Sequence, residues 1–374
     1  MILAYVGGYD PAYPRNAVLR RGLTRLGVEV KSLFVPQRAG FLERSGAILV
    51  AVGRLDPAPD VVLVAEFCHK DIPAAWLAAR RAGALLAADP LISRADTLVA
   101  DWGLYGTRSL DGWACRRWDE VAFGWPKVVV ADTRAHAQRY AAWVGRDPFP
   151  IVHVGATDDF FDVPDDEPAP SPLRVLYAGG FLPLHGVDVI AGAAERLHAR
   201  GERGIEIECV GDGIQYREIR ERAVKAGLSN VRFVGRRPLD ELPGRMGRAH
   251  VVLGVFQKDG EGERVLPNKV VQGLATGRCV VTGDTEAARE LLIANENAML
   301  VPPGDSDALA DALLRLRDEP AHRRRVATQG RALARRALTA EATARQLLVA
   351  LGGRTIPAAA PAHETARAAA AAKS

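Results

Sequence analysis

The sequence predicts an α/β protein made of two parallel-sheet units that face each other across a central cleft. Three observations predict it. Short apolar strands alternate with amphipathic helices, and the alternation runs twice along the chain. A stretch rich in proline and acid, "DVPDDEPAPSPLR" from Asp162 to Arg174, has no periodicity and interrupts it. The first strand of each half runs straight into a glycine pair, Gly7-Gly8 and Gly179-Gly180. Residues 1–163 are read as the first Rossmann-like unit and 164–173 as the linker. Residues 174–336 form the second unit, 337–352 a helix expected to pack back on the first unit, and 353–374 a low-complexity tail expected to be disordered.

In the first half the apolar runs predict strands at Ile2–Val6, Val28–Phe34, Val61–Ala65, Ala84–Ala88, Lys127–Ala131 and Ile151–Val154. Helical spacing predicts helices at Asn16–Leu26, Pro73–Ala82 and Arg134–Val144. In the second half strands are expected at Val175–Ala178, Ile205–Val210, Val231–Val234 and Val251–Phe256, with helices at Val187–Ala199 and Gln215–Ala226. Helices fill the chain from Asp305 to about Leu351. Two such units in tandem bind ligands between the carboxyl ends of their strands.

Composition narrows the class. A chain of 374 residues with 25% charged side chains fits a soluble two-domain protein. The net charge of +4 is too small to point to nucleic acid and suits anionic small molecules or an acidic membrane surface. Cys68, Cys115, Cys209 and Cys279 are far apart, which argues against zinc and disulfides and suits a reducing cytoplasm. No uncharged apolar run approaches the roughly 20 residues of a membrane span. "MILAYV" stops at the glycine pair without the apolar run of a signal peptide.

The chemistry is sought in the loops after strands. Neither G-x-G-x-x-G nor G-x-x-x-x-G-K-[ST] occurs. The segment "VLPNKVVQGLATGRCVVTGD", Val265 to Asp284, reads as loop, helix, glycine, strand, with Pro267 at the first helical position. Val270, Val271, Leu274 and Ala275 make the apolar face of that helix. Lys269 is the misfit, because a helix N-terminus disfavours a cation. An anion held jointly by the backbone N–H groups and the ammonium removes the conflict; a solvated surface lysine is the plain alternative. Asp89 and Asp96 in "DPLISRAD" follow a strand of the first half and are aimed at the expected acceptor side, where they could contact a hydroxyl or simply brace a turn. The "GDSD" at Gly304–Asp307 has the Asp-x-Asp form of a metal site, but it opens a helix and reads as an N-cap. His69, near Glu66 and Asp71, is a further candidate for the acceptor side, although a lone histidine of this kind is more often structural. Arg20, Arg21 and Arg25 lie on a polar helix face that could touch acidic lipid or stay solvated.

Read as an ordered set, "VLYAGGFLPLHGVDVIAGAAERL", "IECVGDG", "NVRFVGRRPLDELPGRM", "LPNKVVQGLATGRCVVTGD" and "NAMLVPPGDSDALADALLRLRDEPAHRRRVATQGR" resemble the nucleotide-sugar domain of glycosyltransferase family 4, which has the GT-B fold. "GGYDPAYPRNAVLRRGL", "DPLISRADT", "VVVADTRAHAQRY" and "VHVGATDDFF" resemble the acceptor domain of one bacterial branch of that family. The resemblance implies a sugar transferred from a nucleoside diphosphate sugar to an acceptor hydroxyl, with retention and without metal or other cofactor. It implies that Lys269 and Asn268, the "PNK" of that branch, face the donor diphosphate. His185 falls where many relatives carry a phosphate-binding lysine, Gly8 backs the diphosphate, and Gly180 lines the donor loop. Gln272 takes the place of the glutamate that grips the ribose. Arg264 stands where a first glutamate is expected, a departure that Glu261 or Glu263 could compensate. Asp89 and Lys269 are the catalytic candidates, and Asp96 joins Asp89 on the acceptor side. The expected partners are the donor and a glycan, lipid-linked or small-molecule acceptor, with no nucleic acid. The expected location is the cytoplasm, with peripheral contact at the inner face of the membrane as an option. Two rival readings share the scaffold: a non-catalytic nucleotide-sugar-binding or scaffold protein, and a nucleotide-sugar epimerase.

Overall fold

The computed structural model describes residues 1–36, 38–147 and 149–352, so the expectation for the tail at 353–374 falls outside the described residues. In the first domain β1 (Ile2–Gly7), β2 (Glu29–Phe34), β3 (Val61–Val64), β4 (Leu85–Ala88) and β5 (Val128–Val129) form one sheet in the order β2-β1-β3-β4-β5, every neighbouring pair parallel. Helices α1 (Pro14–Arg25), α2 (Phe41–Gly53), α3 (Ile72–Ala82), α4 (Leu110–Gly124), α5 (Arg134–Val144) and α6 (Asp158–Phe161) accompany it. In the second domain β6 (Leu173–Ala178), β7 (Ile205–Val210), β8 (Val231–Gly235), β9 (Val251–Leu253), β10 (Cys279–Gly283) and β11 (Met299–Val301) form a second parallel sheet, ordered β11-β10-β9-β6-β7-β8. Its helices are α7 (Val187–Ala199), α8 (Tyr216–Lys225), α9 (Leu242–Gly247), α10 (Asn268–Ala275), α11 (Glu286–Arg289), α12 (Ser306–Asp318) and α13 (Pro320–Ala337). A last helix, α14 (Ala340–Ala350), lies on α1 of the first domain.

Strands such as β1, with Leu3, Ala4, Tyr5 and Val6 all at 0% exposure, are apolar on both faces because helices cover both. Ala344 and Leu347 of α14 complete the first core. That return requires Gly22, since a Cβ there would stand 1.9 Å from the carbonyl oxygen of Ala340. A third apolar cluster is shared between the domains: Leu91, Val154 and Phe160 pack with Val270, Leu274 and Leu333.

Several elements differ from their sequence expectation. The strand expected over Lys127–Ala131 shortens to two residues, and that over Ile151–Val154 reduces to a single bridge between Ala131 and Ile151. The chain turns towards the second domain after only two backbone hydrogen bonds there, Ala131 N–H to Pro150 O and Val152 N–H to Ala131 O. Helices α2 and α4 have no counterpart in the expectation. α2, "FLERSGAILVAVG", carries its polar residues, Glu43, Arg44 and Ser45, near its start and none after them, so no helical period shows in the rest. Pro267 is the N-cap of α10, not its first residue: its φ of −77° and ψ of 159° are extended, and its carbonyl accepts from Val270. Asp305 caps α12, accepting from the N–H groups of Asp307 and Ala308 at 2.9 Å.

Candidate active site

The donor side begins where β6 ends. Tyr177, the last but one residue of β6, turns its ring beneath the ammonium of Lys269, 5.0 Å from Nζ to ring centre. Gly179 leaves room for the lysine tip: a Cβ there would stand 2.6 Å from Lys269 Cε and 2.9 Å from Nζ, so the ammonium would have to move. Lys269 is 5% exposed, and its Nζ has no hydrogen-bond partner. Burial pushes its pKa down to about 7. No side chain caps the α10 N-terminus beside it. A lysine that is buried, unpaired and set in the first turn of a helix is poised for an anion. Gln272, 5% exposed, follows on the same helix.

His185 departs from its expected role. Its Nδ1 lies 2.5 Å from the carbonyl oxygen of Gly180, and the Tyr177 hydroxyl donates to the same oxygen at 2.5 Å. Burial, and then the Lys269 charge, push its pKa down to about 3, so the ring is neutral at physiological pH. The carbonyl assigns the one proton to Nδ1, which leaves Nε2 an acceptor. In the ligand-free protein His185 therefore fixes the Gly180 loop with a neutral ring.

Gly8 also departs from expectation. Its N–H donates to Asp71 Oδ2 at 2.8 Å, and Asp71 in turn holds Arg44 at 2.5 Å, so that donor is already used. Asp89 does not face an open acceptor side. It is 0% exposed, and its Oδ2 accepts from Arg15 Nε at 2.6 Å, while Arg15 reaches the Val152 carbonyl at 3.1 Å. A strand-end carboxylate next to a buried arginine is drawn inward, because an unpaired guanidinium there costs more than a solvated aspartate gains. His69 is 1% exposed, its Nε2 3.0 Å from the Ile92 carbonyl, and burial pushes its pKa down to about 4.

Sequence reasoning assigned no role to Glu66 or Tyr13. Glu66, at the end of β3, takes Asn16 Nδ2 at 2.5 Å on Oε1 and leaves Oε2 buried without a partner. Burial, with Asp89 adding to it, pushes the Glu66 carboxyl up to about 8. The hydroxyl of Tyr13 meets Asn268 Nδ2 at 3.5 Å, joining the two domains. Among the buried polar atoms without partners are Glu66 Oε2, Asp89 Oδ1, Arg15 Nη2 and Asp132 Oδ2 in the first domain and Asn268 Oδ1 and Lys269 Nζ at the start of α10. Each such atom needs a partner, and the strand ends of the two domains are where a ligand would supply one.

A second cross-domain group lies beside it. His136 Nδ1 is 2.5 Å from Asp132, and Nε2 is 2.7 Å from Glu261 of the second domain. Burial would lower the imidazole pKa, but the two carboxylates outweigh it and raise it to about 10, so the ring stays charged. Arg264 stands 3.4 Å from Glu261 and 3.9 Å from Asp96, and its carbonyl accepts from Thr133 Oγ1 at 2.6 Å. Asp96 is gripped by Arg139 through both oxygens at 2.6 and 2.7 Å. The signal for the pair was present: Asp132 and His136 are four apart at the entry to a predicted helix. Its partner Glu261 is 125 residues further along the chain.

The basic face of α1 is used within the molecule: Arg21 and Arg25 pair with Asp158, Arg25 also with Glu341, and Arg20 donates to Ser32. A cavity of about 440 Å³ lined by Arg174, Glu206, Glu208, Arg232 and Arg245 lies away from the cleft, at the amino-terminal halves of β6, β7 and β8. Arg232 and Arg245 pair there with Glu208. No group of metal-ligating side chains occurs among the described residues, and no helix among them is long and apolar enough to cross a membrane.

Two parallel α/β domains with a polar junction at their strand ends define the GT-B architecture, and comparison with solved structures agrees. The chain superposes on Anabaena Alr3699/HepE in complex with UDP-glucose with a TM-score of 0.69 at 16% identity, covering 94% of this chain and 99% of that one. It superposes on sucrose-phosphate synthase from Thermosynechococcus elongatus with a TM-score of 0.69 at 16% identity, covering 93% and 97%. Residues 172–319, most of the second domain, match the family model for glycosyl transferases group 1. Among curated proteins, the uncharacterized glycosyltransferase MJ1178 of Methanocaldococcus jannaschii is 25% identical over 141 residues, 38% of this chain and 37% of that protein. The amylovoran biosynthesis glycosyltransferase AmsK of Erwinia amylovora is 26% identical over 169 residues, 44% of this chain and 41% of that one. The match thus spans about two-fifths of the length of either relative.

Proposed function

We propose that this chain transfers a sugar from a nucleoside diphosphate sugar to an acceptor hydroxyl, in the manner of glycosyltransferase family 4. The observation that carries this reading is Lys269: a buried ammonium without a hydrogen-bond partner, in the first turn of α10 and against Gly179. A diphosphate placed there gains the lysine and the helix end together and needs no metal to offset its charge. In the reaction the leaving diphosphate accumulates negative charge, and a fixed cation whose charged form is disfavoured until the phosphate arrives stabilises that change. Gln272 is suited to the donor ribose through its amide. Arg264 adds a cation next to Glu261 at the domain junction, in place of a carboxylate. Tyr13, which Asn268 approaches at 3.5 Å, and Glu66 are polar groups suited to the acceptor side.

The HepE complex contains UDP-glucose, so a uridine nucleotide is the first donor to try. The name of AmsK makes polysaccharide biosynthesis the first context. The acceptor is then a glycan, a lipid-linked sugar or a smaller alcohol, the transfer retaining, and the setting the cytoplasmic face of the membrane. One observation favours a non-catalytic reading: Glu261, which could stand in for the missing first glutamate, is held by His136 at 2.7 Å. Incubating the protein with UDP-, GDP- and ADP-sugars and a mixed acceptor panel in EDTA separates the readings. Sugar transfer in EDTA supports the proposal. Donor binding without turnover supports the non-catalytic reading, and activity restored only by manganese refutes the metal-free route.

A further inference from the structure

Two loops at the carboxyl ends of neighbouring strands hold residues in backbone that they do not favour. Phe67, in the loop after β3, has a φ of 59°, and Leu91, in the loop after β4, has a φ of 65°. Left-handed backbone is costly for a bulky side chain, and glycine or asparagine is its usual occupant. The loops hold each other, since the Phe67 N–H donates to the Pro90 carbonyl at 3.3 Å. Leu91 has a packing reason: it is buried in the apolar cluster shared between the domains. Burial gives no such reason for Phe67, whose side chain is 41% exposed. Strain of this kind persists where the surrounding fold imposes it, and it gathers at ligand sites.

Contacts fix where that ring stands. The Tyr13 ring meets it edge-on, with 5.3 Å between centres and 76° between planes. The Tyr13 hydroxyl is the group that Asn268 approaches at 3.5 Å, and Asn268 precedes Lys269 at the start of α10. Two contacts therefore lead from Phe67 to the donor end of α10, with Tyr13 in both. Glu66, one residue before Phe67, is 2% exposed and keeps Oε2 without a partner. Its charge reaches Tyr13: burial first, and then Glu66, raise the Tyr13 hydroxyl pKa to about 12.

An exposed ring, a second ring edge-on to it and a spare carboxyl oxygen suit one chemistry. A pyranose has an apolar face of C–H bonds and a rim of hydroxyls. The face can cover an aromatic ring, and a hydroxyl can satisfy the buried carboxyl. An open-chain alcohol offers the hydroxyls but no fixed apolar face. The donor is anchored from the second domain by its diphosphate, so a platform on the first domain is left for the other substrate.

We propose that Phe67 and Glu66 select a saccharide acceptor: the apolar face of one pyranose ring lies on Phe67, Tyr13 closes the side towards the donor, and Glu66 binds a hydroxyl of that ring. This rests on the sugar transfer proposed above and narrows its acceptor to a cyclic sugar. The test is calorimetry and saturation-transfer NMR with UDP present, using the methyl glycosides of glucose, galactose and mannose, with sorbitol as the open-chain control. Phe67→Asn removes the ring and suits left-handed backbone, so the variant folds, which thermal unfolding checks; Phe67→Tyr keeps the ring. A glycoside binds the parent and sorbitol does not. Phe67→Asn binds that glycoside about tenfold more weakly, and Phe67→Tyr binds it as the parent does. Sorbitol binding as tight as any glycoside, no glycoside binding, glycoside binding that Phe67→Asn leaves unaltered, or a loss of UDP affinity in its place would each overturn the proposal. Failure of the underlying transfer reading shows separately, as a parent that binds none of UDP, GDP and ADP, and the acceptor assignment then falls with it.

Discussion

Lys269→Met is the most informative single change, because it moves stability and function in opposite directions. Methionine keeps the length and unbranched shape of lysine and is an equally good helix former, so packing against Gly179 and Tyr177 is preserved and only the charge leaves. The folded pKa of about 7 lies below the ordinary 10.5 because burial penalises the ammonium. The sign follows from proton binding. Between these values the unfolded chain binds more protons than the folded one, so stability rises with pH across the window from 7 to 10.5. Below about 7 the full penalty applies, and above the unfolded value it vanishes. At about 1.4 kcal/mol per pH unit, the penalty at pH 8 is about 3 kcal/mol, an upper figure since water reaching the cleft reduces it. Removing the charge stabilises the ligand-free protein by up to that amount at pH 8 and by much less near pH 10. The same change removes a charge-assisted hydrogen bond to the diphosphate worth about 1.5–3 kcal/mol, or roughly 10- to 150-fold in affinity. Chemical denaturation at both pH values gives the first quantity. Calorimetry with UDP against uridine, and with GDP and ADP in parallel, gives the second. A variant less stable than the parent at pH 8 contradicts the buried unpaired ammonium. Undiminished diphosphate affinity removes Lys269 from the donor site.

Three further outcomes are expected. Gln272→Leu loses donor affinity by about 1–3 kcal/mol, whereas Gln272→Glu binds as well or more tightly; equal binding by the leucine variant in calorimetry would place the side chain away from the ribose. Glu261→Ala leaves the charged His136 with one carboxylate in a buried site and destabilises the protein by about 3–5 kcal/mol in urea unfolding. His136 is raised in the folded state, so its contribution is complete below the ordinary value of 6.5 and fades as pH rises through about 10, and the difference between variant and parent should shrink over that range. Asp305→Ala removes the cap of α12 and lowers stability by about 0.5–2 kcal/mol, with donor binding unchanged; lost donor binding would mean that the Asp-x-Asp acts on the ligand after all.

What the sequence determined by itself was local. The helices Arg134–Val144 and Val187–Ala199 and the strand Ile205–Val210 stand at their predicted bounds, because an amphipathic helix or a strand buried on both faces writes its period into neighbouring residues. The misfit of Lys269 was legible for the same reason, since a charge and a helix end two residues apart form one local conflict. The roles of Asp89, Gly8 and His185 were not legible. Asp89 was placed by its position after a strand and Gly8 and His185 by the family resemblance, and neither fixes a direction of hydrogen bonding. Arg15 draws Asp89 inward across 74 positions of sequence, Asp71 takes the Gly8 N–H across 63, and the Gly180 carbonyl takes the proton of His185 within a loop of irregular backbone. Glu261 and His136 meet only because two domains close on each other. Periodicity records which face of an element is apolar, whereas burial and pairing depend on what the rest of the chain brings to that face, and that was decided only by the tertiary structure.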